Sequence, residues 1–258
     1  MVDSLNKERN KAKEEIHKMP VDIPPANWGK DKLSEFLRHA YNHQMATAAR
    51  KSGIFVTLST IDAMMVKIAD NIINPSNATA INLIYRAHSA YRAASATAMA
   101  GQVAETLVLV RSSLEYAAYG LHIHDIPAKG DVWWDRNKGK AEKNASIKAF
   151  TLGSLRDTIQ KHDTKLVIVF NELYERSIDF GAHPNQYGVV TGMALKEQED
   201  RVAILQKYLH ADGMEMDFAL KTTAQAGIFV LRVFQFMMPE KFMLLGVQEG
   251  ILRAEKGL

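Results

Sequence analysis

The chain contains no cysteine. Disulfide frameworks, thiolate nucleophiles and zinc sites with thiolate ligands are thereby excluded, and the composition suits a reducing, cytoplasmic setting. Proline is scarce, with seven residues in all, and three of them gather at Pro20, Pro24 and Pro25. Long stretches are therefore free to run as uninterrupted helix. Neither sign of charge dominates, since 32 Lys and Arg stand against 29 Asp and Glu for a net charge of +3. Dedicated nucleic-acid binders and membrane-surface proteins usually carry a stronger basic excess. Long apolar runs are also missing. Gly227–Met238 is broken by Arg232 and Gln235 and is too short to span a bilayer, so no membrane association is expected. Met1–Lys18 is charged throughout, unlike a secretory leader. The sequence has no glycine-rich phosphate loop, nucleophile elbow or dinucleotide fingerprint, and no cofactor is expected.

What is present is helical periodicity. With 258 residues, 47% of them hydrophobic, the chain can bury a sizeable core. Leu33, Phe36, Leu37, Ala40, Tyr41 and Gln44 recur at three- and four-residue spacing, which predicts a helix from Asp31 past Arg50 with a break at Gly53. A helix over 54–73 should end at Asn74-Pro75-Ser76, and helices over 78–100 and 102–122 should part at Gly101. The first of that pair is rich in alanine, including Ala87, Ala90, Ala94 and Ala98, which permits close approach of a neighbour. Residues 123–142 read as a loop around Pro127, Gly130 and Gly139. Beyond it come a short helix from Ser146 and a helix over 164–180. An irregular loop or small hairpin follows near 181–196. The chain closes with helices over 198–211, 214–237 and 240–255, the last two parted by Pro239. The expected architecture is all-α: one single-domain multi-helix bundle over 1–258 with roughly eight to ten helices. Residues 1–28 are expected to form a peripheral N-terminal helix and Pro-rich connector. A homodimer through the apolar terminal helices completes the picture.

The functional lead lies in Asn171–Gln186. Arg176 and Asp179 are three apart and share a helical face. Gly181 is a natural helix stop, and Pro184 forces His183 out of the helical region. A polar cluster at a helix-to-loop transition is a common setting for function. A histidine beside the negative end of a helix dipole suits proton donation or phosphate contact.

Arg176 and His183, with six residues between them, resemble the Arg–(four to six residues)–His motif of the HEPN superfamily of helical bundles. Arg111-Ser-Ser-Leu-Glu115 also looks like the paired arginine and acidic residue of some HEPN-like bacterial families. Many members are metal-independent ribonucleases of toxin–antitoxin and phage-defence systems. The resemblance implies that Arg176 contacts the scissile phosphate, that His183 takes part in proton transfer and that a homodimer completes the site. Asp179, Arg111, Glu115 and Asn185 would support them. Ser177 follows the arginine, where active members usually carry Asn, Asp or His.

The same residues also read as architecture. His183 and Asn185 can cap the helix end, and Arg176 can pair with Asp179 or Glu172 at helical spacing. Arg111 and Glu115, four apart on an otherwise apolar helix, can clamp a neighbouring helix. Trp133 and Trp134 beside Arg136, Lys138, Lys140 and Lys143 form an aromatic, basic segment suited to stacking on RNA bases; the alternative is an indole plugging the core. Glu35, His39 and His43 share a helical face, and His122, His124 and Asp125 cluster at a helix end. Such groups are more often polar faces than metal sites, and no metal is expected. Two functions follow: a HEPN-like metal-independent endoribonuclease of a bacterial toxin or defence system, or a non-catalytic helical interaction or scaffold protein with a structural Arg/Glu/Asp/His network.

Overall fold

A computed structural model describes residues 24–184, 186–198 and 201–258. The chain divides into two compact units, Met1–His39 and Ala40–Leu258. The sequence-predicted helix before Pro20 lies outside the described residues. In the first unit Asp31 starts helix α1 (Lys32–Arg50) by accepting hydrogen bonds from the amides of Leu33 and Ser34, both at 3.0 Å. That satisfies two of the donors a helix start leaves open.

The second unit is a mostly helical bundle. It takes in the end of α1 and then α2 (Ser52–Asp70), α3 (Ala78–Ala100), α4 (Val103–Asp125), α5 (Ala128–Trp134), α6 (Lys140–Ala149), α7 (Leu152–His162) and α8 (Thr164–Ser177). A single π-turn, Ile178–Ala182, leads to the short α9 (Gln186–Val190). An antiparallel hairpin of β1 (Met193–Gln198) and β2 (Arg201–Gln206) follows, then α10 (Met214–Met237), α11 (Pro239–Leu244) and α12 (Val247–Glu255).

Helices α3, α4 and α10 make the centre, with α3 packed most extensively on α4. The alanines allow it: Ala87, Ala94 and Ala98 are buried on the α3 face. Around them Tyr91, Phe170, Phe229 and Phe234 are fully buried, each stabilising the fold by roughly 1.5–3 kcal/mol relative to exposure. Gly101 ends α3 in the left-handed region, at φ 81°, as the sequence leads one to expect. A side chain there would also collide with the carbonyl of His210, whose amide donates to the Gly101 carbonyl at 2.8 Å. The loop after β2 is thus tied to the α3–α4 turn.

Several expectations change. Residues 123–142, expected as a loop, are instead the end of α4, α5, a 3-10 turn (Asp135–Asn137) and the start of α6, because Val132 and Trp133 pack on the core and override the glycines. The helix expected from Ser146 is two, since α6 ends at Ala149 and Thr151 caps α7 by accepting from the Ser154 amide, with Leu155 and Ile159 buried. The hairpin lies at 193–206, further on than 181–196, and β2 takes residues expected as helix over 198–211. Val202 and Ile204, β-branched and two apart, suit a strand facing Glu197 and Leu195. Helix α10, one of the apolar terminal helices, buries most of its residues within the bundle. Helix α2, with 19 residues and a mean hydropathy of 1.4, is long and apolar enough to cross a membrane; Leu58, Ile61, Met65 and Ile68 turn one face of it into the bundle.

Candidate functional site

On α4, Arg111 and Glu115 are one turn apart and bonded, Nε to Oε1 at 2.9 Å. Tyr174 on α8 closes a triangle with them. Its hydroxyl accepts from Arg111 Nη2 at 2.9 Å and donates to Glu115 Oε1 at 3.0 Å, while the guanidinium lies 4.9 Å from its ring centre. Burial works against the Arg111 charge, yet Glu115 and Tyr174 outweigh it and hold the guanidinium more firmly protonated. Burial, reinforced by the Glu115 carboxylate, pushes the Tyr174 phenol up. The pair that stood out in sequence thus clamps α4 to α8.

Arg176 is two residues beyond Tyr174, so it leaves α8 on another face. Its Nη1 donates to Gln225 Oε1 on α10 at 2.7 Å, and its Nη2 lies 3.9 Å from Glu172. It lines a cleft of about 250 Å³ between α8 and α10, with Leu166, Leu173, Ile228 and Phe229 among the walls. The architectural pairing with Glu172 is therefore present, and Gln225 is a partner that sequence spacing did not offer.

The π-turn after α8 redirects the chain. Gly181 lies so close to the first turn of α4 that a Cβ would collide with the Ala104 carbonyl oxygen. Phe180 packs with Tyr187 and Phe218 at ring distances of 5.6 and 5.1 Å. Past this anchor His183 is exposed and extended, with Nδ1 3.4 Å from the Pro184 carbonyl oxygen. Asp179 is exposed. Asn185 lies outside the described residues. The Arg176 cleft does not include His183 among its lining residues, and Arg111 and Glu115 bond Tyr174 rather than Arg176 or His183.

The aromatic segment divides its roles. Trp133 is partly buried against the core, the indole plug of the alternative reading. Trp134 meets it edge-on at 4.8 Å, is 62% exposed, and donates from Nε1 to Thr79 Oγ1 at 2.9 Å. Arg136 is exposed. The histidines are dispersed. His39 is 4.0 Å from Glu35, and His43 lines a separate cleft with Lys51 and His210. His122 is buried with both ring nitrogens occupied, by Thr158 Oγ1 at 2.7 Å and the Ala149 carbonyl at 3.1 Å. Asp125 bonds His162 at 2.8 Å. Among the described residues no group of three or more His, Asp or Glu is arranged to hold a metal ion.

Sequence spacing missed ionic clusters whose members sit on different elements, among them one on α2 and α3. Asp62 on α2 accepts from Arg92 Nε and Nη2 at 2.6 and 2.9 Å and meets His88 Nε2 at 2.6 Å, all from α3. Burial opposes ionisation of Asp62, but these partners prevail and hold its carboxyl well below the usual range. No family model, curated protein or solved structure matches the chain.

Proposed function

We propose that this chain is a non-catalytic helical interaction protein whose singled-out ionic residues are architectural. The observation that carries this is the closed Arg111–Glu115–Tyr174 triangle. Arg176 fits the same pattern, since it is bonded to Gln225 rather than left to a substrate. A catalytic arginine needs to face the atom whose charge it stabilises; Arg111 is turned to Glu115 and Tyr174, and Arg176, although it lines the α8–α10 cleft, already donates to Gln225. The test is RNA cleavage by purified protein in excess chelator, with Arg176→Ala and His183→Ala alongside. No cleavage by any of the three is expected. Cleavage by the wild type that disappears in both variants, with helical circular dichroism intact, would overturn the proposal.

A second function keeps a specific support. His183 is exposed, and its imidazole is open to a substrate. As a HEPN-like metal-independent endoribonuclease, the protein would use His183 to take the proton of an RNA 2′-hydroxyl as that oxygen attacks the adjacent phosphorus. The 5′-oxygen would leave with a proton from water, producing a 2′,3′-cyclic phosphate, and His183 would return its own proton to solvent. Arg176 would hold the phosphate, Asp179 would orient the histidine, and Trp134 and Arg136 would contact flanking RNA. The same cleavage assay decides between the two.

A further inference from the structure

A small cleft of about 140 Å³ opens between α1 and the loop that precedes α10. His43 and Arg50 line it from α1, seven residues apart and so on one face of that helix. His210 lines it from the loop. The backbone of His210 is pinned, since its amide donates to the Gly101 carbonyl at 2.8 Å, and the residue is only 7% exposed. Among the described residues, neither the His43 ring, nor the His210 ring, nor the Arg50 guanidinium has a hydrogen-bond or ion-pair partner. An enclosed imidazole left without a partner is costly, and native structures keep few of them. The His210 ring nitrogens are not sealed in the core, so the cleft is where they meet a partner.

The charged groups around the cleft are Arg50, Lys51, Asp212 and Asp217. Lys51 Nζ lies 2.5 Å from Asp212 and 2.6 Å from Asp217, so both carboxylates are turned to the lysine and tie the loop and the start of α10 to it. What stays uncommitted is one guanidinium and two imidazoles. All three donate N–H bonds, and an imidazole beside an anion is favoured in its cationic form. A metal ion does not suit the cleft. It would have to draw Asp212 away from Lys51, and among the described residues no group of three His, Asp or Glu is arranged for one. We propose that this cleft binds a phosphate group, free or carried by a small molecule, between Arg50, His43 and His210. The donors come from two elements rather than from one planar fork, which suits a tetrahedral anion better than a planar carboxylate. This site goes beyond the interaction role proposed above and does not depend on it. None of its residues belongs to the Arg111–Glu115–Tyr174 triangle or to the Arg176 cleft.

The test is isothermal titration calorimetry of the full chain with inorganic phosphate and with phenyl phosphate, at fixed ionic strength. The wild type is compared with His43→Ala, Arg50→Ala, His210→Ala and Lys148→Ala, the last an exposed control on α6. One phosphate should bind per chain. Arg50→Ala and His43→Ala should each raise the dissociation constant at least about tenfold, and Lys148→Ala should leave it unchanged. Tighter binding of phenyl phosphate would support the site and identify a phosphomonoester as its ligand; equal or weaker binding would support it with the free ion. In nitrogen-15 spectra the ring signals of His43 and His210 should move together as phosphate is added, while that of His162, held by Asp125, stays in place. No binding of either probe, affinities untouched by Arg50→Ala and His43→Ala, or equal shifts at every histidine each overturns the proposal. Should His210→Ala lose its helical circular dichroism, the other two variants decide, since neither His43 nor Arg50 is buried.

Discussion

One hydroxyl, that of Tyr174, serves both members of the α4 ion pair, accepting from Arg111 and donating to Glu115. Tyr174→Phe keeps the buried ring and its stacking on the guanidinium but removes both hydrogen bonds. Arg111 and Glu115 are about a third exposed, so solvent compensates part of the loss. A destabilisation of about 1 kcal/mol is expected from urea unfolding, with no change in secondary structure. A loss too small to measure would show that the clamp adds nothing beyond packing. Half of this network was legible in the sequence. Arg111 and Glu115 stand at helical spacing, whereas Tyr174 is 59 residues from Glu115 and no local pattern connects them. The same holds for Arg176 and Gln225, 49 residues apart. Spacing reveals partners on one helix and conceals partners across helices, so the arginines could be singled out while their employment could not.

Among the elements, the long helices followed from the spacing of their apolar residues and from the stop signals at their ends. α3, α4 and α10 begin and end within a few residues of the sequence-predicted limits. The failures cluster where tertiary contact overrides local chemistry. Pro127, Gly130 and Gly139 argue for a loop, yet packing of Val132 and Trp133 on the core sustains α5. The turn after α8 shows the opposite case, in which a glycine was legible but its reason was not. Gly181 reads as a helix stop; in the structure it is required because the backbone presses on the Ala104 carbonyl. Gly181→Ala must push the π-turn off the first turn of α4. The cost expected for such overpacking is about 1–3 kcal/mol. Faster amide exchange should follow in Ile178–Ala182 and around Ala104, read by hydrogen exchange with mass spectrometry. Unchanged exchange at both places would mean that the contact relaxes without consequence.

For the whole molecule, the question is what covers the hairpin. Residues facing inward are accounted for by the α3, α4 and α10 core, and the dispersed ion pairs satisfy one another. The exposed face of Leu195, Val202 and Ile204 has no such account among the described residues. If a second copy covers it, folding and association are linked, because a partner that binds only the folded state raises apparent stability with its concentration. The melting temperature of the wild type should then climb as the protein is concentrated. Each tenfold increase above the dissociation constant adds roughly 1.4 kcal/mol per mole of dimer. Ile204→Lys should melt at a temperature independent of concentration, and it should match the wild type when both are dilute. Such coincidence at low concentration separates a lost interface from a damaged fold, since a core defect would lower the melting temperature at every concentration. Two parallel, flat profiles would instead mean that each chain tolerates its bare hairpin alone, and that the bundle, without a partner, is the whole source of stability.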